Sequence, residues 1–373
     1  MENNASIVRL AANETGETQC VIFVDSIQSA RSCLTPHLAS IVGAYPFIGA
    51  FGARVFVHKL DDLKKLPCVK AVAPHTTVTT CLHKTKAVLG VETAQKASLY
   101  GGGIGVAVID TGVRPHVDFM MPAPRIYFRD FIAGRTLPYD DNGHGTAVAS
   151  ILCGNGLASG GRFSGIAPKS RLFALKAIGA SGEGGAFVIL EAMQWLYDNA
   201  AKHNIKVLCA SFGSQPVQDG LDPLSAGAEA LWRKGITVVA SAGNDGPKPD
   251  TVRSPGCNSS IITVGGAHLT KSGAEVAEFS SRGLCAGFTK PDLVAPASNI
   301  TACGVTDDYE THTGTSMAAP ITAGAAALIL SKRPDFSPNR VKEILLKTAQ
   351  KMPALPRESA GHGLLSFDFL EEL

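Results

Sequence analysis

The feature that most constrains this chain is the alternation, from residue 104 onward, of short apolar runs with helical stretches. The apolar runs show no polar alternation and are Ile104–Asp110, Leu172–Ile178, Val207–Phe212, Ile236–Ala240 and Ile261–Val264. The helical stretches are Thr146–Gly154, Gly185–Asn204, Leu224–Lys234, Met317–Ser331 and Pro338–Thr348. Strands without polar alternation are buried on both faces, so the pattern predicts an α/β fold, a mainly parallel sheet with helices on both faces.

The N-terminal part follows a different pattern. Apolar runs rich in β-branched residues occur in QCVIFVDS, GARVFVHKL and VKAVAPHTTV, and the helix-like stretches SARSCLTPHLASIVGA and KLDDLKKLP lie between them. This order, β-α-β-(α)-β, is typical of a small α+β domain. We therefore divide the chain into residues 1–82, a small α+β domain, and residues 83–373, a larger α/β domain.

Composition excludes several kinds of partner. Hydrophobic residues make up 45% of the 373 residues, enough for a sizeable core. The net charge of +2 predicts no strong attraction to nucleic acid or to an anionic membrane. No segment approaches the length of an uninterrupted apolar membrane span. We expect neither nucleic acid nor membrane as a partner.

The cysteines bear on the cellular compartment. Nine cysteines are scattered singly, without a CxxC pair. An odd count in this arrangement predicts reduced, mostly buried thiols rather than a disulfide framework or a zinc site. The N-terminal residues also lack a basic stretch followed by an apolar one, the mark of a signal peptide. We therefore predict a cytoplasmic protein, or a secreted one if a signal peptide has been removed.

The segment THTGTSMAAPITAGAAALIL places a polar Gly-Thr-Ser directly before a run of small apolar residues. Small residues would let a buried helix pack closely against its neighbours. The first four N–H groups of a helix have no intrahelical partner, so Pro320 is tolerable if the helix begins near Ser316. The Ser316 hydroxyl would then lie at the positive end of the helix dipole. Alone, such a serine is usually a helix cap.

Two further residues change that interpretation. Asp110 ends an apolar strand, and His144 in DDNGHGTAVAS lies at the start of a helix. In open parallel sheets, reactive groups gather beyond the carboxyl ends of the strands. A serine hydroxyl is a poor nucleophile until an imidazole accepts its proton, and the imidazole needs a carboxylate to fix its tautomer. Asp110, His144 and Ser316 thus supply the parts required for acyl transfer.

The segments VAVIDTGV, DDNGHGTAVAS and GTSMAAP resemble the three signature segments of the subtilisin-like serine peptidases. The resemblance runs from about Gly103 to about Leu365 and implies a serine endopeptidase that works through an acyl-enzyme. Ser316 would be the nucleophile, His144 the proton carrier and Asp110 its orienting carboxylate. The segment VVASAGNDGP implies that Asn244 holds the oxyanion. In character the chain is most similar to the intracellular members.

The same resemblance implies a set of substrate-binding residues. In CASFG, the edge that would pair with an extended substrate backbone comprises Ser211, Phe212 and Gly213. The pocket for the residue before the scissile bond would be lined by Ser241, Ala242, Gly243 and Gly256. Small residues there predict a roomy pocket for large apolar side chains, and Asp245 at its rim would also tolerate a basic one.

Residues 1–82 resemble the inhibitory propeptide domain of this family, which assists folding and is removed by the enzyme itself. The resemblance implies a zymogen, cleaved between Val78 and Lys84, whose N-terminal domain is an intramolecular inhibitor. Its other partners would be polypeptide substrates. A permanent partner-binding domain is the alternative that the sequence leaves open.

The chain departs from the family pattern at two places. Ala147 stands where a second histidine is usual, and we expect altered packing without loss of chemistry. The segment Gly154–Pro168 has one Asn and no Asp or Glu, too few oxygen ligands to predict a calcium site there. The chemistry itself requires no cofactor, and calcium elsewhere is left open.

Other classes of protein fit less well. The glycine cluster Gly101–Gly105 precedes its strand, whereas phosphate-binding glycines follow a strand and open a helix, so a dinucleotide-binding enzyme is rejected. The dispersed histidines argue against a metalloenzyme. Two alternatives stay open: a catalytically silent, peptide-binding or regulatory member of the family, and a processing peptidase dedicated to one partner. Labelling of Ser316 by a fluorophosphonate separates the silent protein from an enzyme.

Overall fold

The computed structural model describes residues 16–45, 49–74, 89–216, 222–270, 273–285, 287–352 and 355–373. The chain divides into two compact units, Met1–Thr79 and Thr80–Leu373, each described by itself below. The predicted cleavage segment between Val78 and Lys84 lies outside the described residues.

The first unit is an α+β fold. Its strands are β1 (Glu17–Val24), β2 (Ser40–Tyr45), β3 (Ala50–Phe56) and β4 (Val69–Pro74). Its helices are α1 (Ile27–Leu34) and α2 (Leu60–Lys64), with 3₁₀ turns at Thr35–His37 and Val57–Lys59. The strands form one antiparallel sheet in the order β2-β3-β1-β4. Leu34 of α1 and Leu63 of α2 pack with Ile22 and Phe51 of the sheet to form its core.

One element of this unit differs from the sequence prediction. The stretch SARSCLTPHLASIVGA is not one helix: α1 ends at Leu34, and strand β2 begins at Ser40. Pro36 has no N–H to continue the helix, and it lies in the 3₁₀ turn that follows α1. Ile41 is β-branched and suits the strand that replaces the predicted helix.

The second unit alternates strands and helices. Its helices are α3 (Val91–Lys96), α4 (Val117–Met120), α5 (His144–Cys153), α6 (Ala186–His203), α7 (Pro223–Arg233), α8 (Thr315–Lys332), α9 (Pro338–Thr348) and α10 (Arg357–Ala360), with 3₁₀ turns at Leu157–Ser159 and Asp368–Glu372. Its strands are β5 (Gly105–Asp110), β6 (Ile126–Asp130), β7 (Arg171–Lys176), β8 (Ile205–Ala210), β9 (Thr237–Ser241), β10 (Ile262–Leu269), β11 (Ala274–Val276), β12 (Gly283–Cys285), β13 (Phe288–Lys290), β14 (Leu293–Pro296), β15 (Ile300–Cys303) and β16 (Tyr309–His312). None of the helices in the described residues is long and apolar enough to cross a membrane.

The predicted parallel sheet is confirmed. Eight strands form it in the order β11-β10-β9-β8-β5-β7-β6, with β14 also paired to β10. All of these pairings are parallel except that of β10 with the short edge strand β11. Helices flank the sheet, and the five apolar runs of the sequence form β5, β7, β8, β9 and β10. Because these strands are parallel, their carboxyl ends meet at one edge of the sheet.

Helix α8 is buried along almost its whole length, as its small residues predict. Ala318, Ala319 and Ala325 are fully buried. Gly324 lets the helix pack closely against Ile166, because a Cβ at position 324 would lie 2.5 Å from Cβ of Ile166. Any larger side chain there would have to displace the neighbouring segment.

The prediction of reduced cysteines without a disulfide is wrong for one pair. Cys257 and Cys285 are joined by a disulfide, with their Cα atoms 5.2 Å apart. Six other cysteines of the described residues are free. The sequence does not reveal this pair, because the two cysteines are 28 residues apart and come together only in the folded chain. Disulfides form and persist mainly in oxidising compartments, and the cytoplasmic location stays a prediction.

Candidate active site

Asp110 lies at the carboxyl end of β5, between β7 and β8 in the sheet. Its side chain is only 1% exposed. Oδ1 accepts hydrogen bonds from the backbone N–H of Thr111 and from His144 Nδ1, both at 2.7 Å. An ionised carboxylate can only accept, so the proton of the neutral imidazole is on Nδ1 and the lone pair is on Nε2. Within the described chain, Oδ2 is buried without a hydrogen-bond partner.

His144 is the first residue of α5, and its side chain is 33% exposed. The start of the helix lies very close to the segment that follows β5, because a Cβ at Gly145 would lie 2.2 Å from the Gly112 carbonyl oxygen. Only glycine fits at this contact, and the contact brings the imidazole to Asp110. The negative charge of Asp110 raises the pKa of His144 above its ordinary value, and burial of the ring opposes this less strongly.

The loop before α5 is held by Asp140, to which the sequence analysis gave no role. Oδ1 accepts from Gly143 N at 2.9 Å, and Oδ2 accepts from the N–H and hydroxyl of Thr146 at 2.9 and 2.6 Å. Asp140 therefore caps the helix that carries His144. Burial opposes its ionisation, but these hydrogen bonds outweigh burial and lower its pKa. An Asp shortly before a helix start is the signal that could have identified it.

A buried lysine ties the same loop to the sheet. Lys176 ends β7 and is 1% exposed. Its Nζ donates to Asp141 Oδ1 at 2.7 Å, to Thr111 O at 2.5 Å and to Ile178 O at 3.1 Å. All three ammonium donors are thus satisfied, which offsets the cost of burying the charge.

Ser316 lies in the first turn of α8, as predicted from the sequence. Its hydroxyl donates to Ser211 O at 3.1 Å, and the Ser211 hydroxyl donates in return to Ser316 O at 3.0 Å. The predicted reason for tolerating Pro320 is wrong, because α8 begins at Thr315 and Pro320 lies beyond the free N–H groups of the first turn. Pro320 leaves Ser316 O without its intrahelical donor, and Ser211 supplies the donor instead.

Asn244 follows β9 and is held by the residue before Ser316. Its Oδ1 accepts from the N–H of Thr315 at 2.9 Å and from the Thr315 hydroxyl at 3.0 Å. Two donors on Oδ1 fix the orientation of the amide, so the two N–H donors of Nδ2 point elsewhere. Gly314 gives room to Nδ2, since a Cβ at this glycine would lie 3.3 Å from it. The side chain is exposed and available to a ligand.

A cleft of about 600 Å³ opens beside His144. The predicted substrate edge Ser211, Phe212 and Gly213 lines one part of it. Its apolar lining comes from side chains that the sequence analysis did not assign, namely Ile178, Ala186, Ile189 and Leu224. An extended chain along residues 211–213 would place apolar side chains in this cleft.

The pocket predicted to be lined by Ser241, Ala242, Gly243 and Gly256 stays a prediction, and the structure places one long side chain against Gly243. Ser241, Ala242 and Gly256 are buried, and the space between Gly213 and Gly243 holds the side chain of Arg253. Arg253 Nε pairs with Asp245 Oδ2 at 2.5 Å. The sequence shows the small residues of the predicted walls, but it does not show that the Arg253 side chain packs against Gly213 and Gly243.

Near Gly154–Pro168, side-chain oxygens of Asp118 and Asn155 take part in hydrogen bonds within the chain. The nearby oxygen ligands already accept hydrogen bonds: Asp118 Oδ1 from Ala158 N, Asp118 Oδ2 from the Tyr309 hydroxyl, and Asn155 Oδ1 from Leu157 N. His116, Asp118 and Cys303 form a buried cluster whose donor atoms lie within 4.8 Å of one another. This N, O and S donor set does not suit calcium, which binds oxygen.

Known proteins resemble this chain in sequence and in structure. The sequence profile of the subtilase family, Peptidase S8, matches residues 101–363. Serine protease AprX of Bacillus subtilis (strain 168) is 37% identical over 279 residues, which are 68% of this chain and 63% of AprX. The thermostable alkaline protease of Halalkalibacterium halodurans is 28% identical over 341 residues, 91% of this chain and 88% of that protease.

Solved structures agree with the sequence comparisons. Sphericase superimposes with a TM-score of 0.63 at 27% identity, covering 72% of this chain and 96% of sphericase. The psychrophilic protease S41 superimposes with the same TM-score, 0.63, at 28% identity, and covers 76% of this chain and 96% of that protease. Family profile, relatives and fold agree, and the chain is therefore a member of the subtilase family, the subtilisin-like serine peptidases.

Proposed function

We propose that the protein is a serine endopeptidase in which Ser316, His144 and Asp110 form a catalytic triad and Asn244 contributes to the oxyanion hole. The observation that carries the proposal is the 2.7 Å contact between His144 Nδ1 and the buried carboxylate of Asp110. That contact leaves the Nε2 lone pair free to accept a proton, and His144 lines the same cleft as the Ser211 segment that holds the Ser316 hydroxyl.

Acylation begins when Ser316 Oγ attacks the carbonyl carbon of the scissile bond and passes its proton to His144 Nε2. The hydroxyl must first leave the Ser211 carbonyl, to which it donates before substrate arrives. The imidazolium that forms is stabilised by the charge of Asp110, the same charge that raises the pKa of His144. Asn244 Nδ2 and the backbone N–H of Ser316 hold the oxyanion of the tetrahedral intermediate.

The intermediate collapses when His144 gives its proton to the leaving amine, which breaks the peptide bond and leaves an acyl group on Ser316. Water then attacks the acyl carbonyl, with His144 again as the base, and releases the carboxyl product. The substrate backbone pairs with the edge formed by Ser211, Phe212 and Gly213.

Fluorophosphonate labelling tests the chemistry. Wild type is expected to take up one fluorophosphonate and Ser316→Ala none, with the adduct on the peptide that contains Ser316. Ser331→Ala is the matched control, because Ser331 lies at the far end of the same helix and its hydroxyl donates only to its own turn. An unlabelled wild type with no hydrolysis of casein would overturn the proposal in favour of a catalytically silent protein.

The proposal includes a role for the N-terminal unit as an intramolecular inhibitor that the enzyme removes. Two observations support this role. The unit is compact by itself, with its own core. The alignment with the Halalkalibacterium protease covers 91% of the chain, more than the second unit alone contains, so it extends into the first unit.

Intact mass spectrometry tests the zymogen. Purified wild type is expected to lose its N terminus at a bond between residues 78 and 84, whereas Ser316→Ala stays at full length. If both proteins stay at full length while wild type accepts fluorophosphonate, the endopeptidase stands and the N-terminal unit is a permanent domain.

A further inference from the structure

We propose that Arg253 determines specificity: it fills the pocket for the residue on the amino side of the scissile bond, so that small uncharged residues are accepted there and large apolar ones rejected. This inference rests on the proposed function of the site and makes it more specific.

The geometry places the aliphatic part of Arg253 between the two walls of the pocket. A Cβ at Gly213 would lie 2.6 Å from Arg253 Cβ, and a Cβ at Gly243 would lie 2.7 Å from Arg253 Cγ. The arginine methylenes therefore pack directly against both glycines. The backbone N–H of Arg253 donates to Ala242 O at 2.9 Å, which fixes the loop against the pocket wall.

Polar contacts hold the guanidinium in place. Arg253 Nε lies 2.5 Å from Asp245 Oδ2, and the hydrogen bond from Arg253 lowers the pKa of Asp245. The Gln215 amide also contacts the guanidinium: in the orientation that satisfies both groups, its oxygen accepts a hydrogen bond from Nη1 at 2.7 Å. The arginine side chain is 25% exposed, so it closes the pocket without being sealed from solvent.

Two consequences follow for substrates. A large apolar side chain would have to displace a paired arginine, whereas a small one needs no displacement. The ion pair is nearly neutral as a unit, so neither a basic nor an acidic side chain gains from it while both partners are present. Removal of either partner would leave the charge of the other uncompensated and change which charged residue is accepted.

The experiment measures kcat/KM of the full chain, as purified, on four peptides that differ only at the residue before the scissile bond: Ala, Phe, Lys and Glu. The concentration of active enzyme comes from fluorophosphonate labelling of each sample. Wild type is expected to favour Ala over Phe.

Three variants separate the effect of the volume that Arg253 fills from the effect of the charges of Arg253 and Asp245. Arg253→Gly opens the pocket and should raise the Phe/Ala ratio by about tenfold or more, and should also raise cleavage after Lys because Asp245 is freed. Arg253→Met keeps a filling side chain and should retain the preference for Ala. Asp245→Asn frees the guanidinium and should raise cleavage after Glu. Arg333→Ala, which removes an arginine from an exposed pair with Asp335, should leave all ratios unchanged.

The outcomes distinguish this inference from the proposed function. If wild type is labelled but prefers Phe, or if Arg253→Gly leaves the Phe/Ala ratio unchanged, the role of Arg253 is overturned and the endopeptidase stands. If wild type is neither labelled nor active on any peptide, the proposed function fails and the specificity assignment falls with it.

Discussion

The Ser211 hydroxyl donates to the carbonyl oxygen of Ser316 at 3.0 Å, and this is the carbonyl that Pro320 deprives of its helical partner. In an α-helix the carbonyl of residue i accepts from the N–H of residue i+4, and Pro320 has none. A side chain from the proposed substrate edge thus completes the first turn of the helix that carries Ser316.

The substitution Ser211→Ala should therefore leave Ser316 O without a donor and loosen that turn. We expect a loss of about 1–2 kcal/mol in the free energy of unfolding and a fall in kcat/KM. Thermal unfolding and steady-state kinetics measure the two effects.

Pro320→Ala provides the matching control, because it returns an N–H to position 320. The effect of Ser211→Ala should be clearly smaller in the Pro320→Ala background. Equal effects in both backgrounds would show that the Ser211 hydroxyl does not replace the missing helical donor.

The pKa of His144 should depend on Asp110. The charge of Asp110 is the main cause that raises it, so His144 in Ser316→Ala should titrate above about pH 6.5. The base is active when neutral, and the acid limb of kcat/KM in wild type should therefore also lie above that value. In Ser316→Ala/Asp110→Asn the midpoint should move to lower pH, as followed by NMR of the imidazole C–H signals. His362, whose pKa burial and Arg357 lower, serves as the unaffected control.

Asp110→Asn should also be nearly inactive. An asparagine can donate to the ring and favour the wrong tautomer, and the expected loss in kcat is about 10⁴-fold. A loss of less than about tenfold would contradict the assignment of Asp110 as the orienting carboxylate.

Asn244→Asp tests the oxyanion hole and keeps the two hydrogen bonds from Thr315 to the side chain at position 244. The aspartate can still accept from the N–H and hydroxyl of Thr315, but it offers no donor to the oxyanion. We expect kcat to fall by about 10²–10³-fold with little change in KM or in thermal stability. An unchanged kcat would remove Asn244 from the mechanism.

Asp140 should make stability depend on pH. Its pKa is lower in the folded state than in the unfolded chain, so the carboxylate adds stability above the unfolded value of about 3.9, and this is lost as pH falls through the folded value. Asp140→Asn should cost about 1–2 kcal/mol at neutral pH, with the difference from wild type shrinking below about pH 4. Urea unfolding at several pH values measures it.

The Cys257–Cys285 disulfide should appear as two thiols that resist alkylation in denaturant until a reductant is added. The chain-entropy model gives about 3.6 kcal/mol for a loop of this length, so Cys285→Ser should unfold at lower temperature. Cys209→Ser, at a free and buried cysteine, controls for the loss of a sulfur. Complete alkylation of all cysteines without reductant would contradict the disulfide and support the predicted reduced thiols.

The sequence predicted the parts of the fold whose signal is local. The run Ile104–Asp110, for example, has no polar residue before its last position, since both faces of the strand are buried. The sequence therefore predicts such strands. The sequence analysis does not predict strand β6, because this strand lies at the sheet edge, where half-buried and exposed residues alternate. Strand β14 was missed because it is short and ends in Pro296.

The site residues also differ in whether the sequence near them carries a signal. Asp110, His144, Ser316 and Asn244 each lie in a short segment with a recognisable pattern. Arg253 does not, since its position depends on how one loop packs against two strands distant in sequence. The small residues of the predicted pocket are visible in the sequence, whereas the packing of Arg253 against Gly213 and Gly243 is visible only in the structure.

Helix α8 has almost no solvent-facing side, and this has a consequence for sequence variation. Nearly every residue from Thr315 to Leu330 is buried, so no stripe along the helix can accept substitutions freely. Helix α9, with a polar and an apolar face, can vary on the outside. Ser316 therefore lies on a segment that tolerates few substitutions. Variants selected for altered stability should have their substitutions elsewhere in the chain.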